Sequence, residues 1–179
     1  MTEADAADPP VNLRDRDTVD AIYRRDGPSI RSFLRHCLSD PRAADDVLQE
    51  TFLELWRKPG GYDPSRGSVR QFLFGVARRR AWQWRRDNPL ARIPETAAVV
   101  QFVPDPGESA AIKDALRQLD DDERALLWLR EVEGYSYDEL ATVLDVPLGT
   151  VKSRLFSARA GLRRVWLGDS NRATRSATR

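Results

Sequence analysis

Apolar positions recur along this chain at the three-and-four spacing of amphipathic helices, and no stretch alternates in the two-residue period of a strand. The first series is Val19, Ile22 and Tyr23, followed by Ile30, Phe33, Leu34 and Cys37. Gly27-Pro28 interrupts it, so a break between two helical pieces is expected there. Asp40-Pro41 is a helix start, an acid at the N-cap and proline at the first helical position. That helix should run to about Lys58 and stop at Pro59-Gly60-Gly61. The segment YDPSRGS, residues 62–68, reads as a loop, and Ser68 caps a further helix reaching about Arg86. Residues 88–108 carry Pro89, Pro94, Pro104 and Pro106 without a sustained period and read as a linker. A second helical block covers residues 109–167. Within it, Asp120 with Glu123 and Ser136 with Glu139 have the spacing of capping boxes. The expected fold class is all-α, with two small helical domains at 18–87 and 109–167. Residues 1–17 are polar and contain Pro9 and Pro10, and 168–179 are polar and basic. Both read as disordered tails.

Charge changes this picture because it is partitioned. The formal net charge is only +1 over 179 residues. Yet residues 120–145 hold Asp120, Asp121, Asp122, Glu123, Glu131, Glu133, Asp138, Glu139 and Asp145 against Arg124 and Arg130. From Pro147 onward, eight cations face Asp169 alone. Separate acidic and basic surfaces are expected, and local basic patches are what steer anions. Cys37 is the sole cysteine, which excludes an intrachain disulfide and fits a reducing compartment. The acidic N-terminus lacks an apolar core, and no apolar run approaches membrane-spanning length. A cytoplasmic protein without membrane insertion is the expectation. One histidine beside one cysteine, His36-Cys37, cannot supply a four-ligand zinc site. No phosphate-binding loop, dinucleotide fingerprint or nucleophile motif is present. No catalytic residue, metal, cofactor or small-molecule substrate is expected, and the chain reads as a non-enzyme.

The strongest chemical signal lies in YSYDELATVLDVPLGTVKSRLFSARAGLRR. Its spacing is that of a helix-turn-helix: a first helix from Tyr137 to Leu144, a turn at Asp145-Val146-Pro147, and a second helix from about Leu148. Leu140, Leu144, Val151 and Leu155 fall where the helices would pack together. The outer face is left with Thr150, Lys152, Ser153, Arg154, Phe156, Ser157 and Arg159. Hydroxyls and long cations at the start of a second helix suit insertion into a DNA major groove. The competing reading is a solvated basic face on an ordinary helical hairpin.

Two stretches of the first domain carry a similar tension. In DPRAADDVLQETFLELWRK, Ala44, Leu48, Phe52 and Leu55 form a core stripe. The opposite side mixes Asp46, Gln49 and Glu50 with Leu53 and Trp56, a combination that points to a protein-binding surface. In ARRRAWQWRRD, five arginines surround Trp82 and Trp84. Two positions apart on a helix are about 200° apart, so both tryptophans cannot be core. Trp84 is expected inward or against the partner helix. Trp82 is expected at or near the surface with Arg78, Arg79, Arg85 and Arg86, where an aromatic can stack on unpaired bases while cations hold phosphates. The alternative is that Trp82 covers the linker or the other domain.

The second-domain string, above all Gly149-Thr150-Val151-Lys152-Ser153-Arg154-Leu155, resembles the C-terminal promoter-reading domain of extracytoplasmic-function (ECF) sigma factors of bacterial RNA polymerase. Response-regulator DNA-binding domains share a related hairpin, but DPRAADDVLQETFLELWRK also resembles the ECF helix that docks on the polymerase clamp helices. The resemblance covers roughly 18–167. It implies a promoter-specificity subunit that joins core RNA polymerase at the clamp helices and flap and binds promoter DNA. Asp45, Asp46, Gln49, Glu50, Leu53 and Trp56 would meet the polymerase. Tyr62, Ser65, Arg66, Arg78, Arg79, Trp82, Gln83, Arg85 and Arg86 would read the −10 element, with a base flipped into the loop 60–68 and Tyr62 its stacking candidate. Thr150, Lys152, Ser153, Arg154, Phe156, Ser157 and Arg159 would read the −35 element. An anti-sigma factor is the implied inhibitor. Arg79, Gln83 and Ser157 depart from asparagine, aspartate and arginine frequent in the family, which alters the expected base contacts. The rival from another class is a stand-alone helix-turn-helix regulator, which would need a dimer surface.

Overall fold

The computed structural model describes residues 12–38, 40–89 and 119–176, with side chains described as far as Arg163. Among these residues the chain is helical, with short turns and no strand. Helix α1 spans Arg16–Cys37, α2 Pro41–Arg57 and α3 Val69–Asp87. Short 3-10 turns at Pro59–Gly61 and Pro64–Arg66 lie between α2 and α3. Helix α4 spans Asp121–Glu131, α5 Tyr137–Leu144 and α6 Leu148–Ser176. The linker expected at 88–108 lies almost wholly outside the described residues, as do residues 1–11 and 177–179.

Three boundaries differ from the sequence expectation. Order begins before Thr18. Leu13 is buried, and Asp15 caps α1 by accepting the Thr18 amide at 3.0 Å. Helix α1 then runs unbroken through Gly27-Pro28. A proline inside a helix removes one backbone hydrogen bond and costs about 3 kcal/mol. Burial of Ile22, Ile30, Phe33 and Leu34 along the same face outweighs this, since each large apolar side chain contributes about 1.5–3 kcal/mol. At the other end, the backbone remains helical past Gly168 as far as Ser176, where a disordered tail was expected. A lone glycine weakens a helix by about 1 kcal/mol and does not end it.

The first three helices pack on one another around Phe33, Leu48, Leu55, Leu73 and Phe74. Phe33 meets Phe74 edge-on, with centroids 5.4 Å apart. Helices α4, α5 and α6 enclose Leu126, Leu129, Leu140, Val151 and Leu155. The expected capping boxes at Asp120/Glu123 and Ser136/Glu139 are formed, as is one at Ser68/Gln71. Asp145 ends α5 in the left-handed conformation (φ 53°), making the tight corner between the two helices of the hairpin.

These two groups of helices form one continuous core. Helix α3 packs on α5, and α1 packs on α4. Phe74 meets Tyr135 edge-on at 5.8 Å, and the His36 ring stacks on Trp128 at 4.8 Å. Gly75 sits where α3 crosses α5, and a Cβ there would lie 3.1 Å from the Val143 carbonyl oxygen. Glycine permits this close approach. Asp26 is completely buried on α1. Arg25 and Arg70 each donate to its carboxylate at 2.8 Å, and Arg70 also pairs with Glu133 of the second group.

Candidate nucleic-acid interface

The helix-turn-helix has the expected form. Leu140, Leu144, Val151 and Leu155 are buried between α5 and α6, as their spacing requires. Lys152, Ser153, Phe156, Ser157 and Arg159 are exposed on α6, with Thr150 and Arg154 half-buried. Phe156 is 78% exposed, a large cost in water for a side chain with no internal role. Arg159 is held by Glu131 at 2.7 Å and by the Tyr137 hydroxyl at 3.2 Å, so the cation projects from a fixed base.

On the first group of helices, Asp45, Asp46, Gln49 and Trp56 lie exposed along α2, while Glu50 and Leu53 are half-buried. Ala44, Leu48, Phe52 and Leu55 face the core. A shallow groove on this side is lined by Asp45, Gln49 and Leu53 together with Tyr23 and Arg31 of α1. Arg31 pairs with Asp45 at 3.0 Å. The α1 contribution was not legible in the helix pattern of α2.

The loop before α3 surrounds a cavity of about 200 Å³, whose lining includes Tyr62, Arg66, Phe72 and Arg79. Tyr62 props this loop. Its hydroxyl donates to the Gly67 carbonyl at 3.1 Å, and its ring meets Phe72 at 5.8 Å. Ser65 is fixed by Asp63, which accepts from both its amide and its hydroxyl and whose carboxyl is held below its ordinary value mainly by those bonds. Arg66 reaches across to Asp145 at 3.3 Å.

The arginine-tryptophan segment departs most from expectation. Trp84 packs against the core and is half-buried. Trp82 is half-buried too, and it covers the other group of helices: its indole Nε1 donates to Asp122 at 3.0 Å. Arg78 lies over the Trp82 ring, 5.3 Å from its centroid, and donates to the same Asp122 carboxylate at 2.5 Å. Arg154 of α6 reaches the second oxygen of Asp122 at 3.1 Å. Arg85 pairs with Asp121 and donates to the Cys37 carbonyl at 3.3 Å. Arg79, Gln83 and Arg86 are exposed. The acid run at the start of α4 has two roles. Only Asp120 caps; Asp121 and Asp122 bind cations of three helices. Burial works to raise the Asp122 carboxyl, but the Arg78 hydrogen bond and the Arg78 and Arg154 charges outweigh it and hold the group below its ordinary value. No local sequence signal could have paired residue 122 with residues 78, 82 and 154.

Comparison with known proteins supplies the family. The model for sigma-70 region 2 matches residues 22–89, and that for sigma-70 region 4 matches residues 109–162. The ECF RNA polymerase sigma factor SigL of Mycobacterium tuberculosis (strain ATCC 25618 / H37Rv) is 32% identical over 151 residues, covering 80% of this chain and 85% of that protein. The chain is an ECF sigma factor. It is also 29% identical over 164 residues to the ECF sigma factor SigK of Mycobacterium sp. (strain KMS), covering 86% of this chain and 85% of the relative. Among solved structures, CnrH in complex with the cytosolic domain of CnrY has a TM-score of 0.64 at 25% identity, over 87% of this sigma factor and 91% of CnrH. The sigma factor RpoE of Bartonella quintana, solved with the anti-sigma factor NepR, shares the fold at a TM-score of 0.67 and 23% identity, over 82% and 95% of the two chains. As an alternative sigma factor, the protein acts with core RNA polymerase and promoter DNA to recognise promoters and start transcription. A stand-alone regulator would leave the match at 22–89 unexplained. No described helix is long and apolar enough to cross a membrane.

Proposed function

We propose that residues 18–87 form the unit that docks on the polymerase clamp helices and captures the opened −10 strand, and that residues 109–167 form the unit that reads the −35 duplex and touches the flap. The α2 face with Asp45, Asp46, Gln49, Glu50, Leu53 and Trp56 is the polymerase surface. Its support is an exposed face that mixes acids with Trp56, 44% exposed, beside a groove. The −10 strand is held by the 62–68 loop and α3, through Tyr62, Ser65, Arg66, Arg78, Arg79, Trp82, Gln83, Arg85 and Arg86. The loop side of the cavity, with Tyr62, Phe72 and Arg79 in its lining, offers aromatic and cationic groups for one unstacked base. Tyr62, tied to Gly67, acts there as the wall that shapes the cavity.

Duplex reading rests on α6. Lys152 and Arg159 contact phosphates, Thr150, Ser153, Arg154 and Ser157 face base edges, and Phe156 packs on an apolar base surface such as a thymine methyl. The observation that carries this assignment is Phe156, exposed among cations on the second helix of a helix-turn-helix. The protein itself is no enzyme, and the polymerase performs the chemistry. It works in the cytoplasm, where its polymerase is, and an anti-sigma factor of the kind that accompanies the structural relatives holds it inactive.

Run-off transcription with core polymerase tests the whole reading. The wild type should start transcripts from a defined −35/−10 pair. A variant with Asp46→Lys, Gln49→Lys and Glu50→Lys should lose core binding while keeping its helical circular dichroism. A wild-type chain that ignores core polymerase yet binds duplex DNA as a dimer would overturn it. Phe156→Ala should weaken −35 binding by about tenfold or more, since full burial of a phenyl ring contributes about 1.5–3 kcal/mol.

A further inference from the structure

The residues assigned to single-stranded and duplex DNA meet in the folded chain, and what joins them is one carboxylate. Asp122 accepts from Arg78 at 2.5 Å, from the Trp82 indole at 3.0 Å and from Arg154 at 3.1 Å. Arg78 and Trp82 belong to α3, and Arg154 to α6. Their shared partner stands on the first turn of α4, next to Asp121, which holds Arg85. Two cations and an N–H gathered on a small oxyanion is the arrangement a DNA phosphate would offer them.

The rest of the contact points the same way. Asp145 of the hairpin turn reaches Arg66 at 3.3 Å, and Thr142, Val143 and Asp145 form one wall of the loop cavity. Gln71 of α3 donates to Glu139 of α5 at 2.6 Å. With Asp122 of α4 bonded to both Arg78 and Trp82, and Arg154 of α6 on the same carboxylate, these side chains already have partners where a strand would need them. The face of α2 is left open, since Asp46, Gln49 and Trp56 are exposed.

We infer that Asp122, with Asp121, is a built-in phosphate mimic that holds the free sigma factor closed, occupying Arg78, Trp82 and Arg85 of the −10 reader and Arg154 of the −35 reader until docking on polymerase separates the two halves. The inference rests on the DNA assignment of Arg78, Trp82 and Arg154 made above. It needs no second protein. It also gives an order of events, polymerase first through the open α2 face and DNA afterwards.

The test uses the full chain, free and in holoenzyme, with Asp122→Asn. Asp138→Asn is the control, removing one charge from an exposed position of α5 that makes no ion pair among the described residues. Spin labels at Asp20→Cys and Arg163→Cys, both exposed, report the distance between the halves. Fluorescent −10 single strand and −35 duplex, from the promoter defined by run-off transcription, report affinity. In the free chain, Asp122→Asn should lengthen the distance and tighten both DNA complexes by about tenfold, as expected if roughly one molecule in ten is open beforehand. Asp138→Asn should change neither. In holoenzyme, Asp122→Asn and wild type should bind the promoter equally.

Unchanged distance and affinity in Asp122→Asn would overturn the inference, as would opening without a gain in affinity. Arg78→Ala and Arg154→Ala in holoenzyme separate this failure from that of the DNA assignment. If they weaken promoter binding while Asp122→Asn does nothing to the free chain, only the closed state is wrong. If they leave promoter binding intact, the DNA assignment is wrong and the occlusion falls with it.

Discussion

Single residues here do work that their type alone would not reveal. Gly67 has φ 141° and ψ −176°, a region that essentially only glycine enters, and a Cβ there would lie 2.2 Å from the Gln71 side-chain oxygen. That oxygen accepts the Ser68 amide in the capping box of α3. Gly67→Ala should therefore lower stability by about 1–3 kcal/mol in urea unfolding and disorder the loop that shapes the candidate base cavity. Cys37 is the opposite case, reactive by type and silent by position. Burial pushes its thiol far above the ordinary cysteine value. Ellman's reagent should react with it only as the protein unfolds, at a rate that tracks denaturant concentration. Rapid reaction of the native protein would show that α1 opens locally at its C-terminal end. Trp82 and Trp84 lie on different faces of one helix, yet both pack half-buried against the shared core, where the helix geometry had allowed only one of them. Which one met the second group of helices depended on Asp122, forty residues away in sequence.

At the level of elements, the start signals were legible because they are local. Asp40-Pro41, Ser68, Asp120 and Ser136 each bond within three residues, so the sequence contains both partners. The interruption expected at Pro28 and the stop expected at Gly168 failed for the converse reason. A breaker's cost is local, but whether a helix survives depends on what the rest of it buries. The buried Asp26 is the most exacting feature of α1. Removing one partner of a buried ion pair leaves a charge uncompensated, and Arg70 serves both Asp26 and Glu133. Arg70→Ala should cost about 3 kcal/mol by thermal unfolding, the lower end of the usual range because Arg25 remains on Asp26. Ser136→Ala should cost about 1 kcal/mol, through loss of the α5 cap. A cost near zero for Arg70→Ala would show that water reaches Asp26 and that α1 and α3 are less closely packed than described.

For the whole molecule, charge governs both closure and binding. Screening shortens from about 10 Å at 0.1 M salt to about 3 Å at 1 M, and the Arg66–Asp145 pair is largely exposed while Asp122 is half-buried. Salt should open the closed chain as it weakens DNA binding. The two effects oppose each other in the free wild type. The plot of log affinity against log salt should thus be shallower for wild type than for Asp122→Asn, and equal slopes would argue against a salt-sensitive latch. Acid acts through the same group. Asp122 titrates lower in the closed state than in an unfolded chain, so its contribution is full above about pH 4 and is lost as pH falls through its depressed value. The Asp122 contribution should therefore be constant between about pH 6 and 8 and be lost only in acid.

The sequence by itself determined the helices, their caps, the helix-turn-helix and the apolar stripes, and through them the family. All of these rest on periodicity and on bonds a few residues long. The identity of the exposed cations and aromatics was likewise written in the chain, since nothing buries them locally. Only the tertiary structure decided that the two helical groups share a core, that Asp121 and Asp122 are ion-pair partners, and that Trp82 faces α4. Those contacts join positions tens of residues apart in the chain. Their energy depends on distance and desolvation in three dimensions, which no local pattern encodes.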